Sequence, residues 1–223
     1  MARGGDRETV EIVNANLLAN DAAELTELLA PLVGHWDGKT CIEQMKRADF
    51  QWRQMEWAGF YGEMRVRDAL EGSRFTGGDT FGNVTFDFKG HINWDVKVHC
   101  NHSRASPLND VRAVDESIDW HGTHGLIIIE GECQLDHSGA FKAWHDALKG
   151  GVSAYEVERV ARGARSRARK TALDVTRIAL VPLTRENISR LGRFQGGMRN
   201  ADGSRRNEKY QISKRLIIEY LIE

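Results

Sequence analysis

The stretch that decides the fold is Val84-Thr-Phe-Asp-Phe-Lys-Gly-His-Ile-Asn-Trp-Asp-Val-Lys-Val-His99. Aromatic and β-branched residues alternate with polar ones on both sides of Gly90, which is typical of two strands joined by a short turn. We therefore expect an antiparallel hairpin, with one strand over residues 84–88 and the other over residues 94–99.

Helical and apolar segments surround this hairpin. The continuous apolar run 125–130 is typical of a central strand covered on both faces. Helical spacing predicts helices before the hairpin, with Asp21 capping a second segment of the first one and Gly59 and Gly62 as candidate breaks in the next. The predicted helices cover residues 8–33, 41–70, 141–148 and 154–173, the further strands residues 178–181 and 216–222, and a loop residues 72–79.

This order of elements predicts an α/β fold in which a mixed central β-sheet is flanked by helices, with a helical N-terminal region. The chain has 223 residues, which is enough for one substantial core, so a single domain over residues 1–223 is expected. Within it we expect a helical part (1–70), a sheet that carries the site (80–135) and a basic part (154–215).

Composition excludes several classes of protein. No apolar run approaches the ~20 residues that span a bilayer, so no membrane segment is expected. The three cysteines are scattered and include no C-x-x-C pair, which fits reduced thiols in a cytoplasmic protein. Residues 77–82 lack the G-K-[ST] ending of a phosphate-binding loop, so no nucleotide cofactor is expected.

Two histidine pairs, at His99 and His102 and at His121 and His124, could suggest a metal site. No spacing to a third ligand accompanies them, so surface or hydrogen-bonded histidines are favoured over a zinc site.

The net charge of −1 hides a strong division along the chain. Residues 159–215 contain sixteen Lys or Arg and four acids, a local charge of +12, so the remaining residues carry −13. This division indicates a face for a polyanion beside an acidic or metal-binding part, although solvated helix faces would give the same counts.

The hairpin carries the residues suited to phosphodiester chemistry. Asp95 and Lys97 are two apart on one strand and so share a face, and the turn brings Asp87 beside Asp95. Carboxylates bind a hard cation such as Mg²⁺, and a nearby ammonium orients the attacking water or stabilises negative charge. The alternative is a cross-strand salt bridge on a solvent-facing sheet.

These residues resemble the PD-(D/E)xK nuclease superfamily, whose signature is an acid, a variable spacer and acid-x-Lys on adjacent strands. Here the signature is Asp87, seven intervening residues and Asp95-Val96-Lys97, with Phe86 where the family usually has Pro and Asp79 as the fallback first acid. The resemblance implies a restriction-endonuclease-like fold and Mg²⁺ as the cofactor.

In many members a preceding helix adds a Glu to the metal site, and Glu56 is the candidate here, with a role as partner of a buried Arg as the alternative. The metal ligands implied by the resemblance are Asp87, Asp95, the Val96 carbonyl and Glu56, and the catalytic set is Asp87, Asp95, Lys97 and Glu56.

The role that the resemblance favours is a type II restriction endonuclease, which hydrolyses double-stranded DNA at a specific sequence and usually works as a homodimer. Two alternatives remain: a structure-specific repair or recombination nuclease, and a DNA-binding protein without enzymatic activity.

Two basic segments are expected to contact DNA. Residues 159–170 would form a helix that follows phosphates, and residues 193–209 a Gly-rich loop whose Arg, Gln and Asn side chains can pair with base edges. A solvated helix face and a mobile surface loop are the respective alternatives. The predicted DNA-binding residues are Arg162, Arg165, Arg169, Lys170, Arg193, Gln195, Arg199, Asn200, Arg205, Arg206, Asn207 and Lys209.

Overall fold

The computed structural model describes residues 5–78, 86–101, 103–163, 168–199 and 203–222. Its strands are β1 (Gly34–Asp37), β2 (Thr76–Gly77), β3 (Phe88–Lys89), β4 (Asn93–Cys100), β5 (Ala105–Asp110), β6 (Thr123–Leu135), β7 (Lys170–Thr184), β8 (Gly192–Phe194) and β9 (Lys209–Ser213). Its α-helices are α1 (Gly5–Leu29), α2 (Gly38–Arg47), α3 (Trp57–Leu70), α4 (Val111–His121), α5 (Ala140–Leu148), α6 (Ala154–Ala161) and α7 (Lys214–Glu219), with 3-10 turns at Ala30–Leu32 and Ile188–Arg190.

The strands form two sheets. Six of them lie in the order β1-β7-β6-β4-β3-β2, and three form a smaller antiparallel sheet in the order β5-β9-β8. In the larger sheet β4 and β6 run parallel and are connected through α4, whereas β7 runs antiparallel to β6. The chain therefore has the expected α/β architecture, a mixed sheet with flanking helices.

Strand β6 is covered on both faces, as its continuous apolar run predicted. Ile127 and Ile129 pack into the core that includes residues of α1, α2 and α3, whereas Leu126 and Ile128 pack into a second core with residues of α4, β9 and α7. All four side chains are fully buried. Alternation along a strand explains the division, because neighbouring side chains point to opposite faces of the sheet.

The predicted hairpin is present. Phe88 pairs with Trp94 and Lys89 pairs with Asn93 in an antiparallel register. Strand β2 pairs with β3 and extends this edge of the sheet, so residues 76–77 are not loop as expected. The first residues of the predicted strand, 84 and 85, lie outside the described residues, as does the fallback acid Asp79.

The N-terminal helices differ from the expectation. Helix α1 continues through Asp21, which therefore caps no second segment. The predicted helix over residues 41–70 is two helices, because Asp49 and Gln51 adopt positive φ angles of 50° and 41° between α2 and α3. Gly59 and Gly62 do not interrupt a helix, because both lie inside α3.

The C-terminal quarter also differs. The predicted helix over residues 154–173 ends at Ala161, and Lys170 begins the long strand β7, where Leu173 is fully buried between β1 and β6. The predicted strand over residues 216–222 is instead the short helix α7, which Ser213 caps by accepting a hydrogen bond from the Leu216 amide (3.4 Å). Leu216 and Ile217 are buried while Ile218 is exposed.

In the described part of the chain no helix combines the length and the apolar character needed to cross a membrane.

Candidate active site at the edge of the central sheet

The β3–β4 hairpin brings Asp87, Asp95 and Lys97 together, as the sequence predicted. Continuing the register beyond Phe88 places Asp87 opposite Asp95. The Val96 amide donates a hydrogen bond to Asp87 Oδ2 (2.7 Å), and Lys97 Nζ lies 3.9 Å from the same oxygen. Asp87 and Lys97 are partly exposed, with 26% and 19% of their side chains accessible, so solvent and ligands can reach them.

The turn of the hairpin is held from a distance by Asp21 of α1. This carboxylate is fully buried, and it accepts hydrogen bonds from the Trp94 indole (2.9 Å), the His91 amide (3.0 Å) and the Ile92 amide (3.2 Å). It also contacts the His91 ring (2.6 Å) and Arg74 (2.7 Å). Asp21 thus fixes the position of β4, and with it that of the cluster.

Gly90 in the turn allows this approach. A Cβ atom at this position would lie 2.6 Å from Asp21 Oδ2 and 2.6 Å from the Phe75 ring, closer than non-bonded atoms come. Only glycine therefore lets the turn close onto the carboxylate without a shift of its neighbours.

Asp95 is fully buried beneath the cluster. Its Oδ1 accepts a hydrogen bond from the Asn109 amide (2.7 Å) and its Oδ2 lies 2.9 Å from Nε2 of buried His124, whose Nδ1 lies 3.0 Å from Ser117 Oγ. Burial alone would raise the pKa of Asp95, but Lys97 and His124 lower it below its ordinary value. Asp95 is therefore an ionised group with fixed partners.

The other acids of the cluster are perturbed in the opposite direction. Burial raises the pKa of Asp87, the charge on Asp95 adds to this, and Lys97 opposes it. Burial likewise raises the pKa of Glu63 on α3 to about 7, with Asp87 adding to the effect and Arg67 and Lys97 opposing it. Glu63 therefore belongs to the same electrostatic cluster, which sequence reasoning did not assign.

Close packing of α3 against β4 brings Glu63 to this edge. At the neighbouring Gly62, an added Cβ would lie 2.7 Å from Val98 of β4 and 3.1 Å from Ile129 of β6. The signal in the sequence was a Gly-Glu pair within an aromatic helix, but only the helix boundaries reveal which acid faces the strand.

Glu56, the acid that the sequence analysis chose, is not brought into the cluster. It immediately precedes the first residue of α3, so it does not lie within the helix that was expected to carry it. Its carboxylate pairs with Lys170 Nζ at 2.5 Å and is 52% exposed. Glu56 is thus the partner of a lysine. The alternative role predicted for it, as partner of a buried arginine, named the wrong residue type.

The fit of the cluster to Mg²⁺ rests on donor chemistry. Asp87, Glu63 and the Val96 carbonyl offer hard oxygen atoms, and the Val96 carbonyl accepts a hydrogen bond from Lys97 Nζ (3.1 Å). Within the described ranges, no group of three or more Asp, Glu, His or Cys side chains is arranged so that it could hold a metal ion. Mg²⁺ commonly takes only one or two carboxylates and completes its shell with water and substrate phosphates, so these donors fit it.

The basic segment 159–170 does not form the predicted phosphate-following helix. Arg162 caps the end of α6 and is 59% exposed, Arg169 is buried, and Lys170 starts β7. Arg165 lies outside the described residues. Arg162, Arg169 and Lys170 therefore belong to different local structures and share no helical face.

The described residues of the second basic segment, 193–199 and 203–209, run from β8 to β9 and are mostly exposed, as expected for a loop. Arg193 lies over the Tyr210 ring and pairs with Glu208 (3.2 Å), and an isolated bridge joins Arg199 to Arg205. Gln195 adopts a positive φ of 66° where the loop leaves β8. Arg206 and Asn207 are exposed, Lys209 begins β9, and Asn200 lies outside the described residues.

Comparisons with known proteins give no match to the chain among protein families, curated proteins or solved structures.

Proposed function

We propose that this chain is a Mg²⁺-dependent endonuclease that hydrolyses phosphodiester bonds in double-stranded DNA, with Asp87, Asp95 and Lys97 as its central residues. The observation that carries the proposal is the juxtaposition of Asp87, Asp95 and Lys97 at the edge of β4, with Glu63 close enough to change the electrostatics of the group. Clusters in which like charges shift pKa values in partly exposed positions are typical of functional sites.

The arrangement supports the resemblance to the PD-(D/E)xK superfamily in two respects. The first acid and the acid-x-Lys element lie on neighbouring segments of one hairpin. A preceding helix also supplies a Glu, which is Glu63 in place of Glu56. A restriction-endonuclease-like fold is the corresponding proposal for the sheet and its helices.

Asp87 and the Val96 carbonyl, both predicted ligands, would hold the cation together with Glu63. Asp95 was also a predicted ligand, but both of its oxygens already have partners, so we propose that it acts as an ionised group behind the others. Bound Mg²⁺ lowers the pKa of a coordinated water and neutralises charge on the phosphate oxygens. Asp95 accepts a hydrogen bond from Asn109 and contacts His124, so it stays ionised and holds a negative charge near Lys97.

Lys97 is placed to act on the reacting phosphate. Its ammonium lies between the Val96 carbonyl (3.1 Å) and Asp87 (3.9 Å) and is partly exposed. From there it can orient a water for attack and stabilise the negative charge that grows on the phosphate oxygens. A charge of this kind acts mainly in the transition state, so its loss reduces turnover more than binding.

Double-stranded DNA is proposed as the substrate because basic residues are concentrated in the C-terminal quarter. The exposed connection between β8 and β9 carries Arg, Gln and Asn side chains suited to base edges. A type II restriction endonuclease that acts as a homodimer in the cytoplasm is the most specific form of the proposal.

The test is digestion of supercoiled plasmid DNA with Mg²⁺. Asp87→Asn and Lys97→Met should each lower cleavage by at least ~10³-fold while DNA affinity changes by less than about tenfold, because both side chains act in the transition state. Glu43→Gln, which removes an exposed acid on α2, is the matched control and should cleave like the wild type. Ca²⁺ should support DNA binding without turnover.

The product pattern separates the alternatives. Discrete bands support a restriction enzyme, and nicks at junctions or flaps support a repair or recombination nuclease. Binding with no cleavage under any divalent cation would leave a DNA-binding protein in which Asp87 and Lys97 form a salt bridge. Full activity of Asp87→Asn, or activity in excess chelator, would exclude this site or its metal.

A further inference from the structure

A second polar site lies away from the acidic cluster, next to the beginning of β7. It is an open pocket of ≈ 810 Å³ between residues 53–56, the turn over residues 149–153 and Arg169. Its charged lining comes from several elements: Arg53, Glu56, Asp146, Lys149, Glu156, Arg159 and Arg169. The volume falls within the range typical of pockets that bind small molecules.

The acids of this pocket are already neutralised. Asp146 pairs with Lys142 and with Lys149, each at 2.7 Å. Glu156 pairs with Arg159 at 2.7 Å and, more distantly, with Lys142 at 3.4 Å. Since Glu56 pairs with Lys170, each carboxylate that lines the pocket has a cationic partner.

Two guanidinium groups remain without an acid among the described residues. Arg53 lies over the Trp52 ring, and among the described residues it donates a hydrogen bond only to the Lys149 carbonyl (3.2 Å). Arg169 is 6% exposed, and neither its Nε nor its Nη1 has a hydrogen-bond partner in the part of the chain that the structure describes. The excess charge of the pocket is therefore positive, and it is concentrated on arginine.

A buried, unpaired guanidinium is energetically unfavourable. Arginine does not lose its proton in proteins, so Arg169 cannot avoid the penalty by becoming neutral. The buried His145 beside it offers no negative charge: burial lowers its pKa, and its Nε2 contacts the Trp52 carbonyl (2.9 Å). An anion in the pocket would supply the negative charge that this guanidinium lacks.

We propose that this pocket binds a phosphate group through Arg169 and Arg53. The planar guanidinium matches two phosphate oxygens at once, and a phosphate has enough oxygens and charge to satisfy both arginines, whereas a carboxylate would satisfy one. The proposal stands on the pocket alone and does not depend on nuclease activity. The phosphate could belong to a DNA backbone or to a free phosphate compound.

The test is calorimetric titration of the full chain with inorganic phosphate and with pyrophosphate. The wild type should show saturable binding, and Arg169→Gln should bind at least about tenfold more weakly, because it loses the bidentate contact. Arg215→Gln is the matched control: it removes the same charge from an exposed position on α7 and should keep wild-type affinity. Urea unfolding checks that both variants fold.

If Arg169→Gln fails to fold, Arg53→Gln provides the same test at a more exposed side chain. The absence of saturable binding to the wild type, or wild-type affinity in the Arg169 and Arg53 variants, would overturn the proposal.

Duplex DNA in Ca²⁺ buffer then identifies the source of the phosphate. If the pocket holds the DNA backbone, pyrophosphate competes with the duplex and Arg169→Gln weakens duplex binding. If it holds a free phosphate compound, duplex affinity is unchanged while pyrophosphate binding is lost. Plasmid cleavage is read separately, so failure of this site and failure of the acidic cluster can be distinguished.

Discussion

Carboxylates lie at both ends of the β3–β4 hairpin, and their pKa values are shifted in opposite directions at the two ends. At the turn, Asp21 is fully buried, but its pKa is lowered, because hydrogen bonds from Trp94, Arg74 and His91 outweigh the effect of burial. At the open edge, burial and neighbouring acids raise the pKa values of Asp87 and Glu63.

The difference lies in the partners. Around Asp21 the protein supplies main-chain amides, an indole, an imidazole and a guanidinium, so the negative charge is satisfied by the fold itself. Around Asp87 it supplies one amide, a lysine at 3.9 Å and two other acids nearby. The first carboxylate holds the structure together, and the second is held in a state that a cation or an incoming group would relieve.

The largest effect on stability is expected at the turn. Asp21→Asn removes the charge and one acceptor from a buried set of donors, so the free energy of unfolding should fall by about 3–5 kcal/mol. Urea unfolding measures this. Glu24→Gln is the matched control, because Glu24 lies on the same helix and contacts the same Arg74, yet is 36% exposed; its effect should stay below about 1 kcal/mol.

The pH dependence gives an independent check on Asp21. Its pKa is lower in the folded than in the unfolded state, so its contribution is present above the unfolded value of 3.8 and is lost as the pH falls through the folded value. In strong acid, the free energies of unfolding of Asp21→Asn and the wild type should therefore become nearly equal. A constant difference down to that range would show that the amide, and not the lost charge, destabilises the variant.

At the open edge, removing an acid should stabilise the protein, whereas removing Asp21 at the turn should destabilise it. Glu63→Gln removes an acid whose pKa is raised from 4.5 to about 7, so it should increase the free energy of unfolding above pH 7, by about 3 kcal/mol at most. Because the folded state favours the protonated form, wild-type stability falls as the pH rises from 4.5 to about 7 and stays lower above that. Below pH 4.5 the variant and the wild type should therefore be equally stable.

The same variant should lose cleavage activity, since Glu63 is proposed as a metal ligand, and Mg²⁺ should stabilise it less than it stabilises the wild type. If Glu63→Gln were less stable than the wild type above pH 7, the Glu63 carboxylate would have stabilising partners in the folded protein, as Asp21 has at the turn. The comparison between the two ends would then fail.

Local periodicity explains what could be predicted from the sequence. Alternation on both sides of Gly90 was enough to predict the hairpin and to place Asp87, Asp95 and Lys97 together, because strand register depends on residues close in the chain. The apolar run of β6 was likewise enough to predict a central strand, since a strand between two cores needs apolar residues on both faces.

The features that were missed depend on contacts between distant parts of the chain. Asp21 lies 70 residues before His91, and nothing near Asp21 indicates that its carboxylate would reach that turn. The choice between Glu56 and Glu63 as the acid of the cluster depends on where α3 begins, which is at Trp57. The helix predicted to extend to residue 173 ends because β7 gains a partner strand on each side, which overrides local propensity.

Asp95 combines features of both ends, and Asn109 offers the finest test of the comparison. Asp95 is fully buried like Asp21, yet it lies beside Lys97 in the cluster. Asn109→Ala removes the 2.7 Å hydrogen bond to Oδ1 and leaves His124 on Oδ2, so the free energy of unfolding should fall by only about 1 kcal/mol.

The same change should raise the pKa of Asp95, because the ionised form loses a donor while burial persists. We expect the titration of the Asp95 carboxyl to move to higher pH, with less than about tenfold loss of cleavage at neutral pH. The acid limb of the pH–cleavage profile should stay in place, because it depends on the ionisation of Asp87 and Glu63, whose pKa values are raised. The measurements are the carbon-13 NMR shift of the Asp95 carboxyl across the acid range and the initial rate of plasmid cleavage, with Glu43→Gln recorded beside them. An unshifted Asp95 titration together with the expected loss of stability would assign Asn109 to the scaffold alone, and Asp95 would then belong with Asp21.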